Sequence, residues 1–304
     1  MAAKKRWIVL VGGGACGEWQ AAALYLFWAA GLLEGVEGIV GTSVGGLNAC
    51  VLAFGLSMGL GLNLLMRLWA SITKDEDIYT PSIPSLMKSP WLNIFSILGI
   101  ARRFLTGGGA VDRGALEALV KKTLGTATTD TIKHMTGINL IVRAYNYQTG
   151  QAESLQGSLA DMALCTSAIE GAFDSWQGRG DGGAADNAPI DVALAMGAEQ
   201  ILVVYCGPDT PLASMDPTII GPVDKQTHTT GLANIFTTAE NISKANEALV
   251  AQAAAAAMAK GVEIVECYPP TDTGNFLDFT KRGLWDRGLK EARPALDAAR
   301  ALGW

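Results

Sequence analysis

Apolar residues along the chain fall into short unbroken runs punctuated by glycine. Trp7-Ile8-Val9-Leu10-Val11 is one such run, closed by Gly12-Gly13-Gly14. A run without polar alternation predicts a strand covered on both faces. Ile39–Thr42, Ile138–Tyr145, Ile201–Cys206 and Val262–Cys267 read as further strands. Between them the pattern turns helical. Glu18-Trp19-Gln20 opens a helix that runs from Ala21 to Leu33, Gly46–Ala53 has the composition of a buried helix, and Asp191–Gly197 forms a short one. Ala239–Lys260 is the clearest long helix, and Arg287–Leu302 reads as another. This alternation predicts an α/β fold, with a mostly parallel central sheet and helices on both faces. No Pro/Ser-rich linker, charge block or internal repeat divides the 304 residues, so 1–304 reads as one domain.

Two apolar stretches need a second reading. Residues 38–66 carry no formal charge over 29 positions, which by length alone would span a membrane. Seven glycines interrupt that stretch, and its first part is the strand Ile39–Thr42, so it reads as a strand and two core helices. The second stretch lies between Ser89 and Gly107, where Ser89 caps a helix, Pro90 suits its first turn and Gly107 its stop. Trp91, Ile94, Phe95 and Leu98 share one face, and Arg102-Arg103 follow. Two readings stand for the 89–106 helix. It is a core helix over the sheet, or a lid and peripheral membrane anchor with its arginines toward lipid phosphates.

The chemistry concentrates where strands give way to glycine. Gly41-Thr42-Ser43-Val44-Gly45 joins a predicted strand directly to a predicted helix. A strand-to-helix elbow of the form G-x-S-x-G holds its serine in a strained conformation, hydroxyl outward, and Gly41 and Gly45 leave room for the neighbouring chain. The Val44 N–H is then placed to bind an oxyanion. Gly12-Gly13-Gly14-Ala15-Cys16-Gly17 likewise follows a strand and opens a helix, an arrangement that suits an anion. That anion is either the oxyanion formed at Ser43 or a dinucleotide pyrophosphate, since Gly12, Gly14 and Gly17 also satisfy G-x-G-x-x-G. The dinucleotide reading requires an acid at the end of the second strand. Glu34 and Glu37 precede that strand, and Ser43 ends it.

Far downstream, Asp181-Gly182-Gly183 lies in a glycine-rich turn ahead of a helix and a strand. The order G-G-G-x-x-G (Gly12–Gly17), G-T-S-x-G-G-x-N-A (Gly41–Ala49), S-A-I-x-G-A-F (Ser167–Phe173) and D-G-G-x-x-x-N-x-P (Asp181–Pro189) resembles the bacterial patatin-like phospholipases. Asn275–Phe279 and the last helix also resemble the end of that domain, and the likeness is weakest over about 72–109, which reads as a variable cap. The resemblance implies a three-layer α/β/α fold and a lipid acyl hydrolase acting on phospholipids or lysophospholipids, with no metal or organic cofactor. It implies Ser43 as nucleophile and Asp181 as its base. Backbone donors come from Gly13 and Gly14, Gly12 shapes the turn, and Gly17, Gly182 and Gly183 support the motifs. An aspartate with its ordinary pKa near 3.9 is a poor base for a hydroxyl, so Asp181 must be desolvated against Ser43. One departure is Cys16, where the family usually carries Arg or Lys.

Composition narrows the rivals. The chain has two histidines, His134 and His228. A Ser-Asp-His triad in α/β-hydrolase order would need His228, which lies in the polar run Asp224–Thr230. A lipid-binding relative without activity is a further alternative. A net charge of −6 without a basic patch excludes a nucleic-acid partner. The five cysteines are scattered without C-x-x-C, so neither a disulfide framework nor a metal site is expected. The basic start Lys4-Lys5-Arg6 precedes an apolar run too short for a leader, so a cytoplasmic location is the expectation.

Overall fold

The computed structural model describes residues 4–80, 109, 111–170, 172–208, 250–280 and 283–304. Its first strand is β1 (Arg6–Leu10). Successive side chains of a strand point to opposite faces. Ile8 and Leu10 accordingly enter one buried cluster, while Trp7, Val9 and Val11 enter another. The chain continues through α1 (Gly17–Ala29), β2 (Val36–Thr42), α2 (Val44–Ser57) and α3 (Asn63–Ser71). Helices α4 (Gly114–Leu124) and α5 (Thr129–Thr136) lead to β3 (Asn139–Asn146), β4 (Gln151–Leu155) and α6 (Leu159–Thr166). Then come β5 (Arg179–Asp181), α7 (Ile190–Ala195), β6 (Gln200–Val204) and β7 (Glu263–Cys267). The chain closes with α8 (Leu284–Glu291) and α9 (Arg293–Ala301).

The sheet order is β4-β3-β2-β1-β6-β7, with β5 also paired to β3. Strands β3, β2, β1, β6 and β7 are parallel, and β4 and β5 lie antiparallel to β3. One face is covered by α1, α2, α8 and α9, and the other by α7 and the helical residues 250–259. This is the mostly parallel sheet between helical layers that the apolar runs predict.

The uncharged stretch 38–66 resolves into β2, the elbow, α2 and the start of α3. Among the described residues no helix is long and apolar enough to cross a membrane. The predicted helix 89–106 and His228 lie outside the described residues, as does the first half of Ala239–Lys260. The single helix expected over Arg287–Leu302 is instead a pair, α8 and α9, with Pro294 in the first turn of the second. Proline has no N–H for the preceding turn, so it starts a new helix more readily than it continues one.

The strand order places a topological switch at β1. From β1 the chain winds outward through β2 to β3, and it later returns to β6 on the other side of β1. In open α/β sheets the carboxyl ends of strands at such a switch leave a crevice between diverging connections. The glycine loop after β1 and the elbow after β2 both open there.

Candidate active site

Ser43 occupies the turn between β2 and α2 with φ 55° and ψ −131°, one of two described non-glycine residues at positive φ. Such backbone costs on the order of 1–3 kcal/mol and persists only where its surroundings hold it. The flanking glycines explain how the turn fits. A Cβ on Gly41 would come within 2.4 Å of the Gly45 carbonyl oxygen, and one on Gly45 within 2.3 Å of the Leu10 oxygen. The elbow therefore packs backbone on backbone, against itself and against the end of β1. Val44 is the first residue of α2, so its N–H has no acceptor inside the helix.

Two hydrogen bonds fix the serine itself. Its Oγ donates to Asp181 Oδ2 at 2.6 Å, and its backbone N–H donates to Thr166 Oγ1 at 2.7 Å. Thr166 Oγ1 in turn donates to the Arg143 carbonyl at 2.6 Å. Both Ser43 (7% exposed) and Asp181 (8%) are buried at the mouth of this turn.

Asp181 reaches Ser43 because β5 pairs with β3 in the register Ala144↔Asp181, next to the end of β2. Its Oδ1 accepts the Gly183 N–H at 2.7 Å. A Cβ on Gly182 would lie 2.4 Å from the Arg143 oxygen, so the acid's neighbour packs tightly on β3. Burial pushes the Asp181 carboxyl up from 3.8 to about 6, while the Ser43 and Gly183 hydrogen bonds pull it partly back. Asp186 is also raised to about 6, chiefly by burial, with Asp191 adding to the rise and Arg143 opposing it. Its carboxylate pairs with Arg143 Nε at 2.8 Å and its carbonyl accepts the Thr42 hydroxyl at 2.8 Å, so it braces the elbow through Thr42. Asp174 instead accepts the Gly109 N–H.

The glycine loop lies across the site. The Gly12 N–H donates to the Asn187 carbonyl at 3.2 Å. A Cβ on Gly12 would come 2.3 Å from Asn187 Oδ1 and 2.8 Å from Ser43 Cβ, so loop, elbow and acid turn meet at this one residue. Gly13 packs on Cys206 and Gly17 on Val44. Gly14, at φ +54°, lies under the Phe276 carbonyl, which accepts the Ala15 N–H at 2.7 Å. Residues 273–279 thus strap the loop down. Phe279 N–H bonds to Asp75 Oδ1 at 2.6 Å, Thr273 Oγ1 bonds to the Cys206 carbonyl at 2.9 Å, and the Tyr79 hydroxyl bonds to the Leu277 carbonyl. With Gly12 and Ala15 engaged, the N–H groups of Gly13 and Gly14 take no acceptor among the described residues. Cys16 is buried beneath the strap, its thiol 3.5 Å from the Gly274 carbonyl.

The sequence motifs therefore converge on one crevice. Missed by sequence reasoning were Thr166 and Arg143. The hydroxyl pair Thr166-Ser167 closing the apolar run Ala163-Leu164-Cys165 was the available signal for Thr166. His134 sits exposed on α5, ahead of the amino end of β3, whereas Ser43 lies past the carboxyl end of β2.

No curated protein matches the chain in sequence. Among solved structures it is similar to VipD from Legionella pneumophila, at 14% identity and TM-score 0.46 over 97% of this chain and 67% of that one. It is similar to human GIVD cytosolic phospholipase A2 at 9% identity and TM-score 0.46, over 98% and 60% of the two chains. It is also similar to the type III effector protein ExoU of Pseudomonas aeruginosa, at 15% identity and TM-score 0.42 over 98% and 53%. The chain thus spans only about half to two thirds of the length of these three. The family model for patatin-like phospholipase matches residues 8–194, from the first strand through the glycine loop, elbow and acid turn to α7, and the chain belongs to that family.

Proposed function

We propose that this protein is a lipid acyl hydrolase that cleaves carboxylic esters of phospholipids or lysophospholipids through an acyl-enzyme on Ser43. One observation carries the reading: the 2.6 Å hydrogen bond from Ser43 Oγ to the buried carboxylate of Asp181, inside a strained elbow. Ser43 Oγ attacks the ester carbonyl carbon and passes its proton to Asp181 Oδ2. The oxygen that gains charge is met by the N–H groups of Gly13, Gly14 and Val44, with Gly12 shaping the turn. Preorganised donors of this kind act strongly where water is excluded. Collapse of the tetrahedral intermediate expels the alcohol, which takes the proton back from Asp181. Water then attacks the acyl-enzyme, giving a proton to Asp181, and the fatty acid leaves as Ser43 is reprotonated.

Three features support the assignment of base. The carboxyl is lifted to about 6 by burial, which brings it nearer to a working base. Gly183 holds its second oxygen, so the first is aimed at the serine. No described histidine approaches Ser43. One catalytic domain over 1–304 fits the same reading, because the C-terminal α8 is tied to α1 by Trp19 Nε1 donating to Glu291 Oε2 at 2.9 Å.

The test is hydrolysis of a short-chain p-nitrophenyl ester and of phospholipid vesicles by wild type, Ser43→Ala and Asp181→Asn, with EDTA present. Turnover in wild type with a loss on the order of 10³-fold or more in both variants is the expected result. An Asp181→Asn enzyme of near-normal rate would remove Asp181 as base. A wild type inert on both substrates would leave a lipid-binding protein.

A further inference from the structure

We infer that Thr166 is a positioning residue for the nucleophile, its hydroxyl setting the orientation of the Thr42–Ser43 peptide. The inference rests on the reading of Ser43 as nucleophile. Ser43 is the N-cap of α2, so its N–H has no acceptor inside the helix. That N–H is buried, and a buried donor without an acceptor costs about 1–3 kcal/mol. Thr166 Oγ1 accepts it at 2.7 Å and donates its own hydrogen bond to the Arg143 carbonyl at 2.6 Å. One hydroxyl thus satisfies a donor on the elbow and an acceptor on β3, and the side chain is fully buried.

The consequence is directional. Holding the Ser43 N–H toward α6 leaves its side chain on the opposite side of the turn, where Oγ meets Asp181 at 2.6 Å. It also withdraws the Ser43 N–H from the crevice, so the elbow's donor to an oxyanion is the Val44 N–H alone. Thr166 stands on the last turn of α6, and Asp181 N–H bonds to the Ala168 carbonyl at 2.9 Å two residues further on. The same segment therefore positions both partners of the proton transfer. A hydroxyl is the required chemistry. Valine would match the shape but leave two buried polar groups unpaired, and serine would keep both bonds while losing the methyl that packs on Gly46.

The test compares wild type, Ser43→Ala, Thr166→Val and Thr166→Ser by labelling with a fluorophosphonate probe and by p-nitrophenyl ester hydrolysis. Thermal unfolding is followed alongside. Thr166→Val is expected to lower kcat and the labelling rate about 10- to 100-fold at little change in KM. Thr166→Ser should recover most of that loss. Equal rates in Thr166→Val and wild type would overturn the inference, as would a serine variant as slow as the valine one, since that would make the methyl the working part. Hydrogen exchange at the Ser43 amide in the wild type is a check that survives an unfolded Thr166→Val, because a rapidly exchanging amide would overturn the inference by itself. If wild type labels no faster than Ser43→Ala, the nucleophile reading fails and this inference with it. If wild type labels at Ser43 and Thr166→Val matches it, only the inference fails.

Discussion

At the scale of single residues, the acid at the elbow ties catalysis and stability to the same proton in opposite directions. On the proposed mechanism Asp181 must be ionised to accept the Ser43 proton, so kcat/KM should rise with pH and level off above about 6. A flat profile from about pH 5 to 8 would count against Asp181 as the base. Asp186 is also raised to about 6, so Asp186→Asn should keep the rise if Asp181 is its source. Stability follows the reverse sign. The folded pKa of Asp181 lies above its ordinary 3.8, so the folded protein holds the proton more tightly than the unfolded chain does. That contribution is complete below about 3.8 and is lost as pH rises through about 6. Asp181→Asn carries no such penalty. Its melting temperature should exceed that of wild type by a margin that grows between those two values and then stays constant. Melting curves whose difference does not change with pH would show that Asp181 titrates normally.

At the scale of elements, the parts that carry the crevice are locked together by a buried polar chain that runs beneath it. Trp69 Nε1 on α3 donates to Asn48 Oδ1 at 2.9 Å, and Asn48 Nδ2 donates to the Gly17 carbonyl and to Gln20 Oε1. Gln20 Nε2 then donates to the carbonyls of Val11 and Val204, where β1 and β6 end. Five elements meet through three side chains, and every polar atom in the chain is used. Asn48→Leu keeps the volume but strips the Trp69 Nε1 donor and the Gln20 Oε1 acceptor of their partner. It should lower unfolding free energy by about 2–4 kcal/mol in denaturant titration, with activity per folded molecule reduced as the loop loosens. A loss below about 0.5 kcal/mol would mean that these groups find other partners.

The elements marked by apolar runs and glycines were legible, with ends displaced by up to four residues, whereas α4, α5, β4 and α6 carry no such mark and were not. Nor were the linkages between elements, because Asn48 and Gln20 sit within apolar stretches whose pattern records burial and not partners. β5 was read as a turn because three residues make no pattern. The α8–α9 break was hidden because Leu284, Gly288, Ala292, Leu296 and Ala299 carry the helical spacing straight through it.

At the scale of the whole molecule, a parallel sheet has two unlike ends, and the glycine loop, the elbow and the acid turn follow strands, while Ser167–Phe173 follows α6. That is why Ser43 and the glycine loop could be read from the elbow and loop patterns and Asp181 through the family resemblance, whereas Thr166 and Arg143 could not be read: their contribution depends on which strands become neighbours. The opposite end has its own polar cluster. Lys4 pairs with Glu263 at 2.6 Å, Gln200 Nε2 bonds to the same carboxylate at 2.6 Å, and Glu199 accepts the Lys5 N–H at 2.8 Å. Lys4, Glu199 and Glu263 line a cavity of about 430 Å³ at the amino ends of β6 and β7. The cavity lies at the end of the sheet away from Ser43. If the crevice at the β1 switch is where the chemistry occurs, Glu263→Gln should leave kcat and KM unchanged. The Lys4–Glu263 pair is half exposed, so its loss should cost less than about 1 kcal/mol in stability. Ester hydrolysis and thermal unfolding of this one variant separate the two ends. Turnover that falls while the melting temperature holds would mean that the amino end communicates with Ser43 through β1, the strand paired with both β2 and β6.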